Sequence, residues 1–312
     1  MPDEAFLSPE EAVRAFGNGK RQVLVLSYGW LSTKAPDPRG ERLALIRRFL
    51  ATLPDAAECG FFMDQVCMPQ LPRTAEEDEV FFRGLFSMVK LYASVTGTTV
   101  VQIKSVPTRP VEMDGVLAIR RLTEAVNQEQ LRTALTTHGE VLRCELEHGG
   151  SAEVQYATHA QAEEAVKAGM AALRLEQAVI FQAYNSRLYE ERGWCCLEEG
   201  VAQVVVAHLM EQRRGGRLPP KHVTAEKTRP KLLAIDDNGA ATPFDAEHAP
   251  NEMLLVLQKR INDAKFTGEE DRAKVERMVL EFVWMVSRGV EQAVDQHMAK
   301  TAKRSQTAPD TV

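Results

Sequence analysis

The chain has 312 residues, 44% of them hydrophobic and 26% charged, with 19 Gly and 15 Pro. This composition excludes collagen-like, coiled-coil and wholly disordered chains and leaves room for about two domains. Lys and Arg number 38 against 44 Asp and Glu, so a net charge of −6 supplies no global attraction to nucleic acid or to an anionic membrane.

Ser8-Pro9-Glu10-Glu11 carries a cap, a first-turn proline and an acidic third position, which predicts a short helix to about Phe16. The apolar run from Arg21 to Tyr28 is too short for a buried helix and reads as a strand covered on both faces. A Pro-rich loop follows over Lys34 to Gly40. Glu41 to Thr52 places Leu43, Ile46, Phe49 and Leu50 at helical spacing, and Gly60 to Asp64 is a strand ending in a carboxylate. Glu77 to Tyr92 is helical, with Phe81, Leu85 and Met88 on one stripe, and Thr98 to Ile103 is a β-branched strand. Three β/α alternations imply a parallel sheet.

After Pro107 and Pro110 the rhythm changes. Strands over Leu117–Leu122, Val141–Glu147, Ala152–Tyr156 and Ala178–Ala183 alternate with helices over Asn127–Thr136 and His159–Ala168, a βαββαβ order of ferredoxin-like type. Ser186 to Met210 reads as one helix weakened by Gly193 and Gly200, and Arg213 to Pro230 as a solvated basic link containing Arg214, Arg217, Lys221 and His222. A strand over Lys231–Ile235, a helix over Asn251–Lys265 and a long helix from a capping box at Thr267-Gly268-Glu269-Glu270 to about Lys300 complete the chain, with a frayed tail from Thr301.

The five cysteines form no CxxC pair, and no His lies at zinc-ligand spacing, so a reducing compartment without a metal site is expected; the vicinal Cys195-Cys196 should simply pack. No basic, apolar leader precedes the first helix and no apolar run approaches a membrane span, which predicts a soluble, cytoplasmic protein with no membrane partner. P-loop, GxGxxG, HExxH, GxSxG and EF-hand patterns are absent, so no cofactor is expected.

The densest candidate chemistry is Arg192-Gly193-Trp194-Cys195-Cys196-Leu197-Glu198-Glu199, in which Trp194 and Glu198 share a helix face. Trp194-Cys195-x-x-Glu198 resembles the third-helix box of TIR domains, and Arg192-x-Trp194-x-x-x-Glu198 resembles the matching segment of fungal heterokaryon incompatibility (HET) domains. Val25-Leu26-Ser27-Tyr28 is similar to the TIR first strand. Phe61-Phe62-Met63-Asp64 with Cys67-Met68-Pro69-Gln70, and Ser87 to Ala93, resemble HET segments in the same order. The resemblance implies a flavodoxin-like sheet, self-association, and a signalling or defence role. It also implies NAD as substrate, split into nicotinamide and an ADP-ribose product beside Glu198 as the catalytic carboxylate. A carboxylate fixed in a dry site would stabilise the oxocarbenium character that develops. Ser27, Tyr28 and Trp30 fall at the carboxyl edge of the sheet, where such folds bind ligands, and are expected with Trp194 to line the substrate. Asp64 is expected either to join them or to cap the loop after its strand. A one-residue change of register would present Glu199 instead of Glu198. The competing reading is a non-catalytic scaffold.

The βαββαβ stretch resembles an RNA recognition motif (RRM) from about Met113 to Ala183. Leu117 to Leu122 stands in the place of the first-strand hexamer, and Gly149 to Tyr156 in that of the third-strand octamer. The base-stacking positions of such units are aromatic, whereas here they are Ala118, Ser151 and Glu153. Between Met113 and Tyr184 six basic residues face ten acidic ones, so phosphate is repelled on average. RNA is therefore disfavoured against a protein partner, and any nucleic-acid contact would fall to Arg120, Arg121 and Tyr156. The resulting architecture is α/β: a TIR/HET-like sheet over 1–112 and 184–250, an RRM-like insertion over 113–183, and a helical extension with a tail over 251–312.

Overall fold

The computed structural model describes residues 3–32, 34–70, 73–123, 125–169 and 178–289. The strands are β1 (Val23–Tyr28), β2 (Gly60–Phe62), β3 (Thr98–Ile103), β4 (Val116–Arg120), β5 (Val141–Glu147), β6 (Ser151–Tyr156), β7 (Val179–Gln182), β8 (Leu232–Ile235) and β9 (Ala241–Pro243). The helices are α1 (Pro9–Gly17), α2 (Glu41–Ala51), α3 (Asp64–Cys67), α4 (Ala75–Ala93), α5 (Gln128–Leu135), α6 (His159–Ala168), α7 (Gly193–Arg214), α8 (Pro220–Thr228), α9 (Pro250–Asp263) and α10 (Glu269–Ser287). They fall into two compact units, one of residues 1–29, 42–105 and 188–312, the other of residues 30–41 and 106–187.

The first unit is built on a sheet of order β2-β1-β3-β8-β9, parallel except for β9. Burial of both faces explains why β1 and β3 are continuous apolar or β-branched runs. Side chains alternate across a strand, so Val25 and Val100, which join the core beneath α4, α7, α9 and α10, share their face with Ser27 and Gln102. Leu24, Leu26 and Tyr28 point to the other face. α7 is buried along most of its length and on nearly all sides, its buried residues including Glu198, Glu199 and Gln203 beside the apolar ones. Its glycines are packing devices. A Cβ on Gly200 would come within 2.5 Å of Leu257 Cδ1 on α9, and one on Gly193 within 2.0 Å of the Phe266 ring.

The second unit carries an antiparallel sheet of order β5-β6-β4-β7 with α5 and α6 on one face. Leu117, Ile119, Ala152, Val154, Tyr156 and Ile180 form that core. Residues 30–41 belong to this unit although they follow β1 in the chain. Leu31 O accepts from Asn185 N at 2.7 Å, Ser32 bridges Tyr184, and Arg39 Nη2 donates to both Glu112 carboxylate oxygens at 3.1 and 2.9 Å.

Several expectations need correction. The helix foreseen from Ser186 starts only at Gly193, because Leu188 and Arg192 are extended on either side of a 3-10 turn at Tyr189–Glu191. The supposed basic link contains α8, with His222 buried in it. Leu43 is exposed, and the buried stripe of α2 is Arg42, Leu45, Ile46 and Phe49. Asp64 opens the short helix α3 instead of ending a strand. Thr267 forms no capping box, since the cap of α10 is Gly268 without a side-chain bond. β9 was not foreseen. The extension of the last helix toward Lys300 and the tail from Thr301 lie outside the described residues.

Candidate functional site

Glu198 lies in the second turn of α7, 6% exposed, under the carboxyl end of β1. Ser27 Oγ donates to Glu198 Oε2 at 2.6 Å and lies 2.5 Å from the Tyr189 hydroxyl. Gln102, paired directly opposite Ser27 in the sheet, donates from Nε2 to the same Tyr189 oxygen at 3.1 Å. The Tyr92 hydroxyl of α4 donates to Leu26 O at 3.4 Å. Burial raises the Glu198 carboxyl to about 8; the nearby Asp64 charge acts in the same direction, while the bond from Ser27 and the proximity of Tyr92 favour the ion without prevailing. At neutral pH Glu198 is therefore mostly an uncharged acid inside a closed polar cluster.

Glu199, one residue on, is opposite in character. Burial alone would raise its carboxyl, but Arg260 of α9 and Lys104 after β3 each approach to 2.5 Å and hold it below the ordinary carboxylate range. The Tyr28 hydroxyl lies 3.4 Å from Asp64 Oδ1, and Arg42 stacks over the Tyr28 ring at 5.4 Å. Asp64 Oδ1 also accepts from Gln65 N at 2.8 Å. Trp194 is half-buried against the core. Trp30 belongs to the other unit. Of the residues foreseen as substrate-lining, then, Ser27 meets Glu198, Tyr28 meets Asp64 on the other side of the sheet, and Trp194 packs against the core.

An open groove of about 700 Å³, lined by Leu7, Glu11, Arg14, Asn18, Gln22 and Cys59 among others, includes none of these residues. Among the described residues no group of three or more His, Cys, Asp or Glu is placed to hold a metal, and no helix is long and apolar enough to cross a membrane. Cys195 and Cys196 are free and buried.

In the second unit, the sheet face opposite the helices carries a central row of Glu145, Glu153, Ala118 and Phe181, each paired with the next. Arg120 at the end of β4 is exposed, with its guanidinium 5.6 Å from the Phe181 ring centre. Arg121 takes a left-handed backbone, φ 62°. Tyr156 has to be removed from the nucleic-acid candidates. It lies in the core on the helix side, 1% exposed, and donates to Leu135 O at 2.9 Å. Lys34 from the 30–41 segment reaches this face, donating to Glu153 Oε2 at 2.7 Å and also to Glu147. Arg143 pairs with Glu153 and, at 3.3 Å, with Glu145. Val116 and Ala118 are buried on the same face.

Sequence reasoning missed Tyr189, Gln102 and Tyr92 around Glu198, and Lys34 on the sheet. Gln102 was detectable in principle as the one long polar side chain in a fully buried strand of Thr, Val and Ile. For Lys34 there was no signal, because its partners lie more than a hundred positions away.

Residues 117–170 match the RNA recognition motif family. The match suggests binding of RNA or of a protein by this segment. A search of curated proteins finds no match to the chain. The likeness of the other unit to TIR and HET domains rests on sequence alone.

Proposed function

We propose that this is a binding protein whose RRM-like unit takes a protein partner on its sheet face, and that single-stranded RNA is not its ligand. The row Glu145, Glu153, Ala118 and Phe181 carries the reading. RNA-binding sheets of this fold stack bases on aromatics and attract phosphate, whereas this row puts two carboxylates and an alanine at the centre. The test is fluorescence anisotropy of the whole chain with labelled decauridine and a mixed-sequence RNA decamer at low salt. No saturable binding is expected. Binding that disappears in the double variant Arg120→Glu, Arg121→Glu would refute the proposal.

A second reading, NAD cleavage by the α/β unit, is favoured by one observation: a perturbed carboxyl, Glu198, hydrogen-bonded by Ser27 at the carboxyl edge of a sheet whose parallel strands run β2-β1-β3-β8, an order like that of flavodoxin-like folds. Stabilising an oxocarbenium ion requires the charged form, so such activity would rise with pH through about 8 and vanish in Glu198→Gln. Chromatography of nicotinamide release at high and low protein concentration tests it. A pH-independent rate, or turnover surviving in Glu198→Gln, would remove Glu198 from the chemistry.

A further inference from the structure

We propose that β5, an edge of the RRM-like sheet, pairs antiparallel with β5 of a second copy of this chain, in the register that sets Cys144 against its own counterpart. The proposal goes beyond the partner reading above and does not depend on it. The order β5-β6-β4-β7 leaves one side of β5 without a strand among the described residues. The backbone groups that face outward there follow from the ladder. Tyr156 N donates to Gly115 O at 2.9 Å, and residues of an antiparallel strand bond to alternate sides. Tyr156, Val154 and Ala152 thus turn to β4, and Gln155, Glu153 and Ser151 turn to β5. Arg143, Glu145 and Glu147, paired opposite the latter three, use their backbone groups on β6, so Cys144 and Leu146 turn theirs outward. An open edge of this kind is a template for another strand.

The side chains select which strand. Leu142-Arg143-Cys144-Glu145-Leu146 is complementary to itself read backwards. Cys144 is buried in the core of its own unit, and Leu142 and Leu146 alternate onto that face, yet they are 54% and 37% exposed. With Cys144 on a two-fold axis, each Leu142 lies opposite Leu146 of the second copy on one face, and each Arg143 opposite its Glu145 on the other. The outward backbone groups of Cys144 and Leu146 then fall in hydrogen-bonded pairs, and Arg143 with Glu145 in the closer pairs between them. Arg143 and Glu145 already lie 3.3 Å apart within one strand, so the four charges alternate in sign and neither residue gives up its present partner. Sliding by two residues sets Arg143 against Arg143 or Glu145 against Glu145. The bulge between Val141 and Arg143, with Val141 O taken by Arg132 Nη2 at 2.6 Å, ends the regular edge at Leu142.

The experiment is sedimentation velocity of the whole chain at low salt, from about 1 μM to about 1 mM. Wild type should pass reversibly from monomer to dimer. Arg143→Glu and Glu145→Arg each set like charges across the axis and should weaken the dimer about tenfold or more. Mixed in equal amounts, the two variants should associate with each other as wild type does, because an acidic strand then faces a basic one. The double variant carrying both changes should dimerise by itself. Leu142→Lys with Leu146→Lys should abolish the dimer without touching Arg143 or Glu145. If a charge variant proves unfolded by circular dichroism, this leucine variant decides. Wild type that stays monomeric throughout overturns the proposal. So does a dimer that survives the charge variants or the leucine variant, since association then lies elsewhere. Folded charge variants that remain monomeric when mixed overturn the register and the proposal with it. None of these outcomes alters the RNA test above.

Discussion

Replacing Glu198 with Gln should make the protein more stable, and increasingly so as pH rises. In the folded chain the carboxyl loses its proton near 8; in the unfolded chain it does so near 4.5. Between these values the unfolded state has released a proton that the folded state keeps, so stability falls by about 1.4 kcal/mol per pH unit. The acid's contribution is complete below pH 4.5 and lost as pH passes through about 8. Over that window the loss is roughly 4 kcal/mol, a large fraction of a domain's stability. Glutamine does not titrate and retains an acceptor for Ser27. Urea unfolding of both proteins at pH 5, 6.5 and 8.5, with unchanged m-values, reads the difference directly. A small gap at pH 5 should widen in the variant's favour to about 4 kcal/mol at pH 8.5. A gap that stays flat with pH, or that turns against the variant in alkali, would mean that the buried carboxyl is ionised throughout and that the polar cluster outweighs its burial.

The neighbouring position behaves oppositely. The Glu199 carboxyl is depressed in the fold, so its contribution is present above pH 4.5 and lost as pH falls through its lower folded value; Glu199→Gln should cost about 1–3 kcal/mol at pH 7, less than a fully buried pair because Lys104 and Arg260 retain some solvent, and the cost should shrink in acid melts. Tyr189→Phe removes the hydroxyl shared by Ser27 and Gln102 and should cost about 1–3 kcal/mol by urea titration, leaving the Glu199 acid profile intact. Gly200→Ala should lower the melting temperature: overpacking against Leu257 costs roughly 1–3 kcal/mol and outweighs the helix propensity of about 1 kcal/mol that alanine adds. An unchanged or higher midpoint would show that α9 yields at no cost.

The order of elements was legible because burial leaves a period in the sequence. Strands β1 and β3, covered on both faces, read as runs dominated by apolar and β-branched residues, and β6 alternates residue by residue because one of its faces is core. The same logic fails for buried cations. Arg21 looks like the polar start of a strand, yet it is fully buried, donating from Nε to Val95 O at 2.9 Å and from Nη1 to Arg229 O at 2.7 Å. Two backbone carbonyls satisfy its donors and the Glu226 carboxylate of α8, 2.5 Å from Nη1, compensates its charge, and partners so remote in sequence leave no trace in the pattern around Arg21. α8 was missed for a related reason: with only His222 and Ala225 buried, its sequence carries almost no apolar stripe.

The glutamate pair shows where pattern stops and geometry starts. Consecutive helical residues differ by about 100° in direction, so Glu198 and Glu199 had to face different surroundings, but a helix buried nearly all round gives no outer side by which to choose. The choice is made by partners remote in sequence. Ser27 stands over one carboxyl and supplies a hydroxyl, which satisfies an acid without compensating its charge; Lys104 and Arg260 stand over the other and do compensate it. One residue is thereby kept neutral and its neighbour ionised within a single turn. Moving a cation toward Glu198, by Gln102→Lys, should bring the carboxyl down from about 8 toward the ordinary range, readable as loss of the pH-dependent gap between Glu198→Gln and its parent. If the gap survives that substitution in a folded variant, something other than the missing counter-charge keeps Glu198 protonated.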